Sequence, residues 1–299
     1  MPGRVAGGAL RFVSILEPEG PAVALVHGNR LVPILELDAG AVHDIPALLA
    51  DQGALARIAE AAAVLAPDAG RLREGARLAM PLPDATRIFC VGLNYVDHAK
   101  ESPYEGLPAD PVLFSRFATS FVADGEALIR PENSLQLDWE GELVAILGSG
   151  GRHIPKENAL EHVAGYAVGN EGSVRDWQLR TPQWMIGKNF DRSGAIGAEI
   201  VTADELPAGG RGLAIFTRVN GKTVQQANTA DMIFDLATVI AFLSSCITLR
   251  AGDAILTGTP AGVGFAAKPQ RFLVPGDVCE VEIEGVGVLR NTVAAEARA

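Results

Sequence analysis

The stretch LQLDWEGELVAILG, Leu135 to Gly148, alternates like a strand and then runs into an unbroken apolar tail closed by glycine. An apolar run of this kind reads as a strand buried in a core. Its first half carries three carboxylates, Asp138, Glu140 and Glu142. Residues two apart on a strand share a face at a spacing of roughly 7 Å. The three acids are therefore expected on one face, with Trp139 and Leu143 on the other. A bare Glu-x-Glu at a strand end is ordinarily solvated surface. Acids pressed against a low-dielectric core need partners, which favours paired or metal-bound carboxylates here. Two such glutamates can converge on a divalent cation in spite of their mutual repulsion.

A third ligand is expected from another strand. GYAVGNEGSVRDWQ, Gly165 to Gln178, places Glu171 at the end of an apolar run, before a Gly-Ser break. An all-carboxylate set suits Mg²⁺, Mn²⁺ or Ca²⁺, whereas zinc more often recruits His or Cys. Arg175 and Gln178, three apart, share a face if a helix opens after Ser173. In VGLNYVDHAKES, a strand breaks at Asn94-Tyr95 into a short helix on which His98 and Glu101 stand three apart. At that spacing a carboxylate can orient an imidazole and raise its basicity, although a lone helical His is usually structural or exposed. Lys188 in MIGKNFD lies among apolar residues, a setting that calls for an anionic partner. The loop in ILTGTPAGVG offers backbone N–H groups that could hold a carboxylate. The dinucleotide fingerprint, the P-loop and the nucleophile-elbow serine are all missing.

The rest of the chain sets the frame. Its 299 residues are 48% hydrophobic and 20% charged, with 33 Gly and 18 Pro, a turn-rich globular composition. A net charge of −11 argues against non-specific binding of nucleic acid. The three cysteines, Cys90, Cys246 and Cys279, fall in apolar or strand-like runs and read as buried thiols in a reducing cytoplasm. No run is long enough to cross a membrane and the start lacks a signal pattern, so a cytoplasmic protein is expected.

Residues 1 to 80 read as a small α/β module: a strand in LRFVSILE, two strands around His27-Gly28-Asn29-Arg30, then one helical run in DIPALLADQGALARIAEAAAVLA. His27 and His43 are expected at the surface. From residue 81 to 299 short strands separated by Gly, Pro and Asp dominate, with one clear helix in DMIFDLATVIAFLSSC capped by Asp231. Strands and helices do not alternate regularly, which disfavours a doubly wound parallel sheet and predicts an α+β, mostly β, fold.

Taken together and in order, NYVDHAKE, DWEGELVAILG, GYAVGNEGSVRDWQ, GKNFD and LTGTPAGVGF resemble the fumarylacetoacetate hydrolase superfamily over about Arg87 to Val293. The resemblance implies a mixed β-roll catalytic domain, a homodimer, and one Mg²⁺ or Mn²⁺ per subunit. It places Glu140, Glu142 and Glu171 at the metal-ligand positions and His98 with Glu101 at a lid dyad. Lys188, Gln178 and Thr259 take polar substrate contacts, with Arg175 and Tyr95 as further candidates. Two positions depart from the pattern. Glu171 stands where many members have aspartate, and Arg116 in FSRFATS where the lysine of a Lys-Pro pair is expected.

The activity this implies is hydrolytic C–C cleavage of a 2,4-dioxo acid, with His98 as the base, Glu101 orienting it, and Lys188 and Gln178 on the developing oxyanion. Isomerisation, decarboxylation or hydration of related oxo acids is the alternative, since each uses the same chelate. A non-catalytic binder of metal and oxo acid is a third reading.

Overall fold

A computed structural model describes residues 10–42, 44–82, 86–101 and 106–297. His43 lies outside the described residues. The Gly141–Leu147 strand is buried at every position and sits near the middle of a 12-stranded mixed sheet. On one side it pairs antiparallel with Val163–Asn170, on the other with Ala254–Leu256, which runs parallel to Ile88–Gly92. Beyond these lie Val112–Arg116 at one edge and Glu199–Thr202 toward the other.

Side-chain parity explains why this strand is apolar throughout. Leu143, Ala145 and Leu147 pack into a core shared with Ile215, Val281 and Leu289 of a second, five-stranded sheet. Val144 and Ile146 face the opposite way, onto a core that includes Leu48, Leu49 and Ile58 from the first third of the chain. A strand covered on both faces has no position for a solvated side chain. The five-stranded sheet shows the complementary pattern. Val278–Ile283 alternates, with Cys279, Val281 and Ile283 buried and intervening residues half-exposed.

The first third folds much as its periodicity predicts. Arg11–Glu17, Gly20–His27 and Arg30–Pro33 are strands, and Gly28 takes φ +60 in the turn between the last two. These strands continue the large sheet, because Arg11–Glu17 pairs with Glu199–Thr202. The helical run is broken in two, Ile45–Ala50 and Gln52–Ala62, with Asp44 and Asp51 each accepting from an N–H of the following turn. Asp51 ends one helix and caps the next, a role an apolar-period count does not reveal.

Two further expectations are corrected. The late helix spans Leu236–Cys246 and is capped by Asp235, whose carboxylate accepts from Thr238 N and Oγ1. Asp231 closes a separate turn at Thr229–Asp231 instead. Cys90 and Cys279 are buried, but Cys246 ends that helix and is exposed. No helix among the described residues is long and apolar enough to cross a membrane.

Candidate active site

The antiparallel register builds the carboxylate cluster. Gly141 pairs with Asn170, which sets Glu140 opposite Glu171 one step further out; Glu171 N donates to Glu140 O at 2.8 Å. Glu140 and Glu142 project from one strand segment and Glu171 from the end of the neighbouring strand, and one oxygen from each lies within 4.8 Å of the others. Like charges directly opposite one another on a sheet repel, so the geometry persists only with compensation. Lys188 supplies part of it, donating to Glu140 Oε2 at 2.9 Å and also to Glu171 Oε2. Arg175 adds an ion pair to Glu140 at 2.6 Å.

The three glutamates do not ionise alike. Burial opposes charge on Glu140, but Lys188 and Arg175 outweigh it and hold this carboxyl below the usual range. Glu142 is pushed well up by burial and then by the charges of Glu171 and Glu140. Burial also raises Glu171, to about 7, with Lys188 pulling the other way and Glu140 adding to the rise. Lys188 is kept charged because Glu140 and Glu171 overcome the cost of its burial.

Four buried acids, Asp138, Glu140, Glu142 and Glu171, face three buried cations, Arg116, Arg175 and Lys188. With all four ionised, one negative charge is uncompensated, and the upward shifts of Glu142 and Glu171 are the response of the metal-free cluster to that excess. A hard divalent cation among the three glutamates fits this donor set and turns the balance to one positive charge, which suits an anionic substrate in a protein that is acidic overall.

Asp138 does not join the cluster. Leu137–Asp138 is a separate two-residue strand paired with Ser173–Val174, so the expected continuous face is interrupted at Trp139 and Glu140. Asp138 turns away to Arg175 Nε at 2.8 Å, to Gly264 N at 2.7 Å and to Phe265 N at 2.9 Å.

The loop after Ala254–Leu256 does hold carboxylates, and they are the protein's own. Gly258 N donates to Glu142 Oε2 at 2.7 Å, Gly262 N to Glu101 Oε1 at 3.0 Å, and Gly264 N to Asp138. Gly258 and Gly262 have φ +100 and +102, and a Cβ at Gly262 would lie 2.1 Å from Val224 O, so the path needs glycine. Glu101 Oε1 in turn lies 3.0 Å from His98 Nδ1, which leaves Nε2 as the ring nitrogen without a hydrogen-bond partner among the described residues.

Both departures from the familial pattern meet in space. Arg116 Nη1 donates to Glu171 Oε1 at 2.9 Å and to Gly172 O at 3.0 Å. Its other nitrogens reach Ser120 and Ser193, and its guanidinium stacks 4.2 Å from the Phe121 centroid. One oxygen of the longer acid is thus tied back by the longer cation. An arginine in the strand VLFSR carries the same signal as Lys188, a buried cation in need of an anion, but that signal does not say which acid, 55 residues on, supplies it.

A cavity of about 580 Å³ brings together His98, Glu101, the three glutamates, Arg175, Gln178, Lys188 and Thr259. Gln178 Oε1 accepts from Arg175 Nη1 at 3.0 Å. The Thr259 hydroxyl is already engaged, donating to Gly141 O and accepting from Gln225 Nε2 at 2.8 Å. Gln225, buried in the second sheet, also accepts from Gly141 N and so ties that sheet to the ligand strand. Sequence reading passed over it, because a glutamine in KTVQQAN carries no distinguishing local signal. Tyr95 is buried with its hydroxyl unpartnered and lines a neighbouring hollow beside Asp97 and Asp231.

Comparison with known proteins places this arrangement. One of the mitochondrial oxaloacetate tautomerases of Homo sapiens is 43% identical over 215 residues, covering 71% of this chain and 68% of its own. The fumarylacetoacetate hydrolase of Exiguobacterium antarcticum superposes with a TM-score of 0.82 at 32% identity, covering 96% of this chain and 100% of its own. Fumarylpyruvate hydrolase of Pseudomonas aeruginosa, solved with Mn²⁺ and pyruvate, gives a TM-score of 0.65 at 35% identity over 75% of this chain and 94% of its own. Residues 87–294 match the family described as fumarylacetoacetate (FAA) hydrolase C-terminal, the span that carries every residue of the cavity, and this chain belongs to that family.

Proposed function

We propose that this chain is a metal-dependent enzyme that interconverts the keto and enol forms of a small 2-oxo acid. The observation that carries the reading is the single cavity in which a buried glutamate triad faces a His98–Glu101 pair. Glu140, Glu142 and Glu171 would hold Mg²⁺ or Mn²⁺. A divalent ion there supplies Lewis acidity toward the carboxylate and 2-oxo oxygens of a bound substrate. His98 moves the proton at the carbon beside the 2-oxo group through Nε2, while Glu101 fixes the ring. Lys188 and Gln178 place donors where negative oxygen develops. The similarity to oxaloacetate tautomerases supports this choice of reaction. Spectrophotometric decay of enol-oxaloacetate, with and without chelator, tests it; a rate equal to that of buffer refutes it.

Hydrolytic C–C cleavage of a 2,4-dioxo acid is the second reading, favoured by the orientation of the dyad and by the similar hydrolases. Here His98 takes a proton from water as its oxygen bonds to the 4-carbonyl. The C3–C4 bond then breaks, and C3 takes up a proton to leave pyruvate and a carboxylic acid. Because both readings pass a proton through His98, product analysis of the unaltered chain separates the two: release of pyruvate from an acylpyruvate marks hydrolysis, and decay of enol-oxaloacetate without such release marks tautomerisation. A homodimer in a cytosolic setting completes the proposal, although the human relative is mitochondrial; sedimentation would check the assembly.

A further inference from the structure

Two wall residues of the carboxylate cavity, Leu93 and Trp184, also line a second hollow of about 830 Å³. Leu107, Val112, Phe114 and Gln183 line it further, and no charged side chain does so among the described residues. The two buried cations of the inner cavity are engaged at its glutamate end, Lys188 by Glu140 and Glu171, and Arg175 by Asp138 and Glu140.

The shared wall is a built feature. Trp184 packs edge-on against Phe114, with ring centroids 5.7 Å apart and planes at 67°. It stands over Gly92, where a Cβ would come within 2.4 Å of the indole ring. Leu93 has φ 54, a conformation that a branched non-glycine residue adopts only when its surroundings impose it.

We propose that this hollow receives an uncharged, apolar arm at the far end of the substrate. Among 2-oxo acids long enough to reach the hollow, those that continue as an alkyl or aryl chain are then preferred over those that end in a second carboxylate; in oxaloacetate the second carboxylate sits on the reacting carbon, at the head group. The inference rests on the reading that the 2-oxo acid head is held at the glutamates. A carboxylate entering the hollow would shed water and meet no cation there, a cost without compensation. A hydrocarbon arm gains by leaving water, and the Trp184 and Phe114 rings give it area to cover.

Calorimetric titration of the Mn²⁺-supplemented full chain with pyruvate, 2-oxopentanoate, 2-oxooctanoate and the dicarboxylate 2-oxosuberate tests this. Affinity should rise by roughly threefold for each methylene that leaves water, and so by tenfold or more from pyruvate to 2-oxooctanoate, with 2-oxosuberate well below it. Leu107 is 54% exposed, so Leu107→Lys should fold and should reverse the order of 2-oxooctanoate and 2-oxosuberate. Pyruvate binding with no gain along the series, or an unchanged order in Leu107→Lys, overturns the apolar subsite and leaves the head-group reading intact. Failure of every acid to bind, pyruvate included, overturns the head-group reading and the subsite with it.

Discussion

Asp138 and Glu142 stand four residues apart on one segment, and both are at most 2% exposed. Burial pushes both carboxyls upward. Asp138 answers with Arg175 and with N–H donors from Trp139, Gly264 and Phe265. Glu142 has one donor, Gly258 N, and its neighbours Glu171 and Glu140 deepen the penalty. Equal burial therefore does not mean equal purpose. A saturated acid is a structural joint, and an unsaturated one among other acids has oxygens that could hold a cation.

The contrast breaks most completely if metal is irrelevant. Exhaustive chelation should abolish turnover of enol-oxaloacetate, and Mg²⁺ or Mn²⁺ should restore it; full activity in chelator would erase the distinction between the two acids. Next in size, His98→Ala should lower kcat by on the order of 10²–10⁴, the range for a lost general base, with metal affinity preserved. A metal-binding titration of that variant checks that the dyad and the triad are separate parts.

Paired substitutions sharpen the contrast itself. Glu142→Gln should weaken metal binding beyond the roughly 10–100-fold typical of losing a supporting contact, while leaving the metal-free melting temperature level or higher. Asp138→Asn should do the opposite. It takes one of two carboxylate partners from the buried Arg175, which keeps Glu140, and costs about 1.5–3 kcal/mol as a lost charged hydrogen bond, read as a fall in Tm. Similar responses from both variants would mean that partner count does not separate the roles.

Glu171→Asp should loosen the metal by about tenfold in titration, of the order expected for one impaired ligand contact, because Arg116 holds the acid back and a shorter arm no longer reaches. The smallest effect is on stability. Glu171 and Glu142 have folded-state pKa values above that of an ordinary carboxyl, so the metal-free fold binds protons more tightly than the unfolded chain does. The stabilisation contributed by these two groups should be complete below about pH 4.5 and be lost as pH rises, through about 7 for Glu171, while Glu140, held low, acts in the opposite sense; bound metal should suppress the trend. Chemical denaturation at several pH values, with and without Mg²⁺, measures it.

What could be read from the sequence follows from how local each signal is. The buried strand, its acids, the His98–Glu101 spacing and the misplaced Lys188 all announce themselves within a few residues, through period and through polar residues in apolar surroundings. The break of the carboxylate face at Trp139 and the pairing of Arg116 with Glu171 depend on contacts 55 residues apart or on strand ends, which periodicity does not record. The helix cap moved from Asp231 to Asp235 for a similar reason. Both are Asp residues ahead of an apolar run, and only the backbone conformation at Asp235 leaves its carboxylate free to accept from Thr238.

The loop from Gly258 to Phe265 has a consequence for how such a protein can change. Through successive N–H groups it fixes Glu142, Glu101 and Asp138. A change in its length would shift all three at once, so natural variation cannot tune one of them through this loop alone. Under the proposed reading, new substrate preferences would arise instead at Leu93 and Trp184, which line both the cavity and the second hollow, and at Leu107 in that hollow. The cavity thus combines a side that resists alteration with a side open to it, and a lineage can exchange substrates without rebuilding its chemistry.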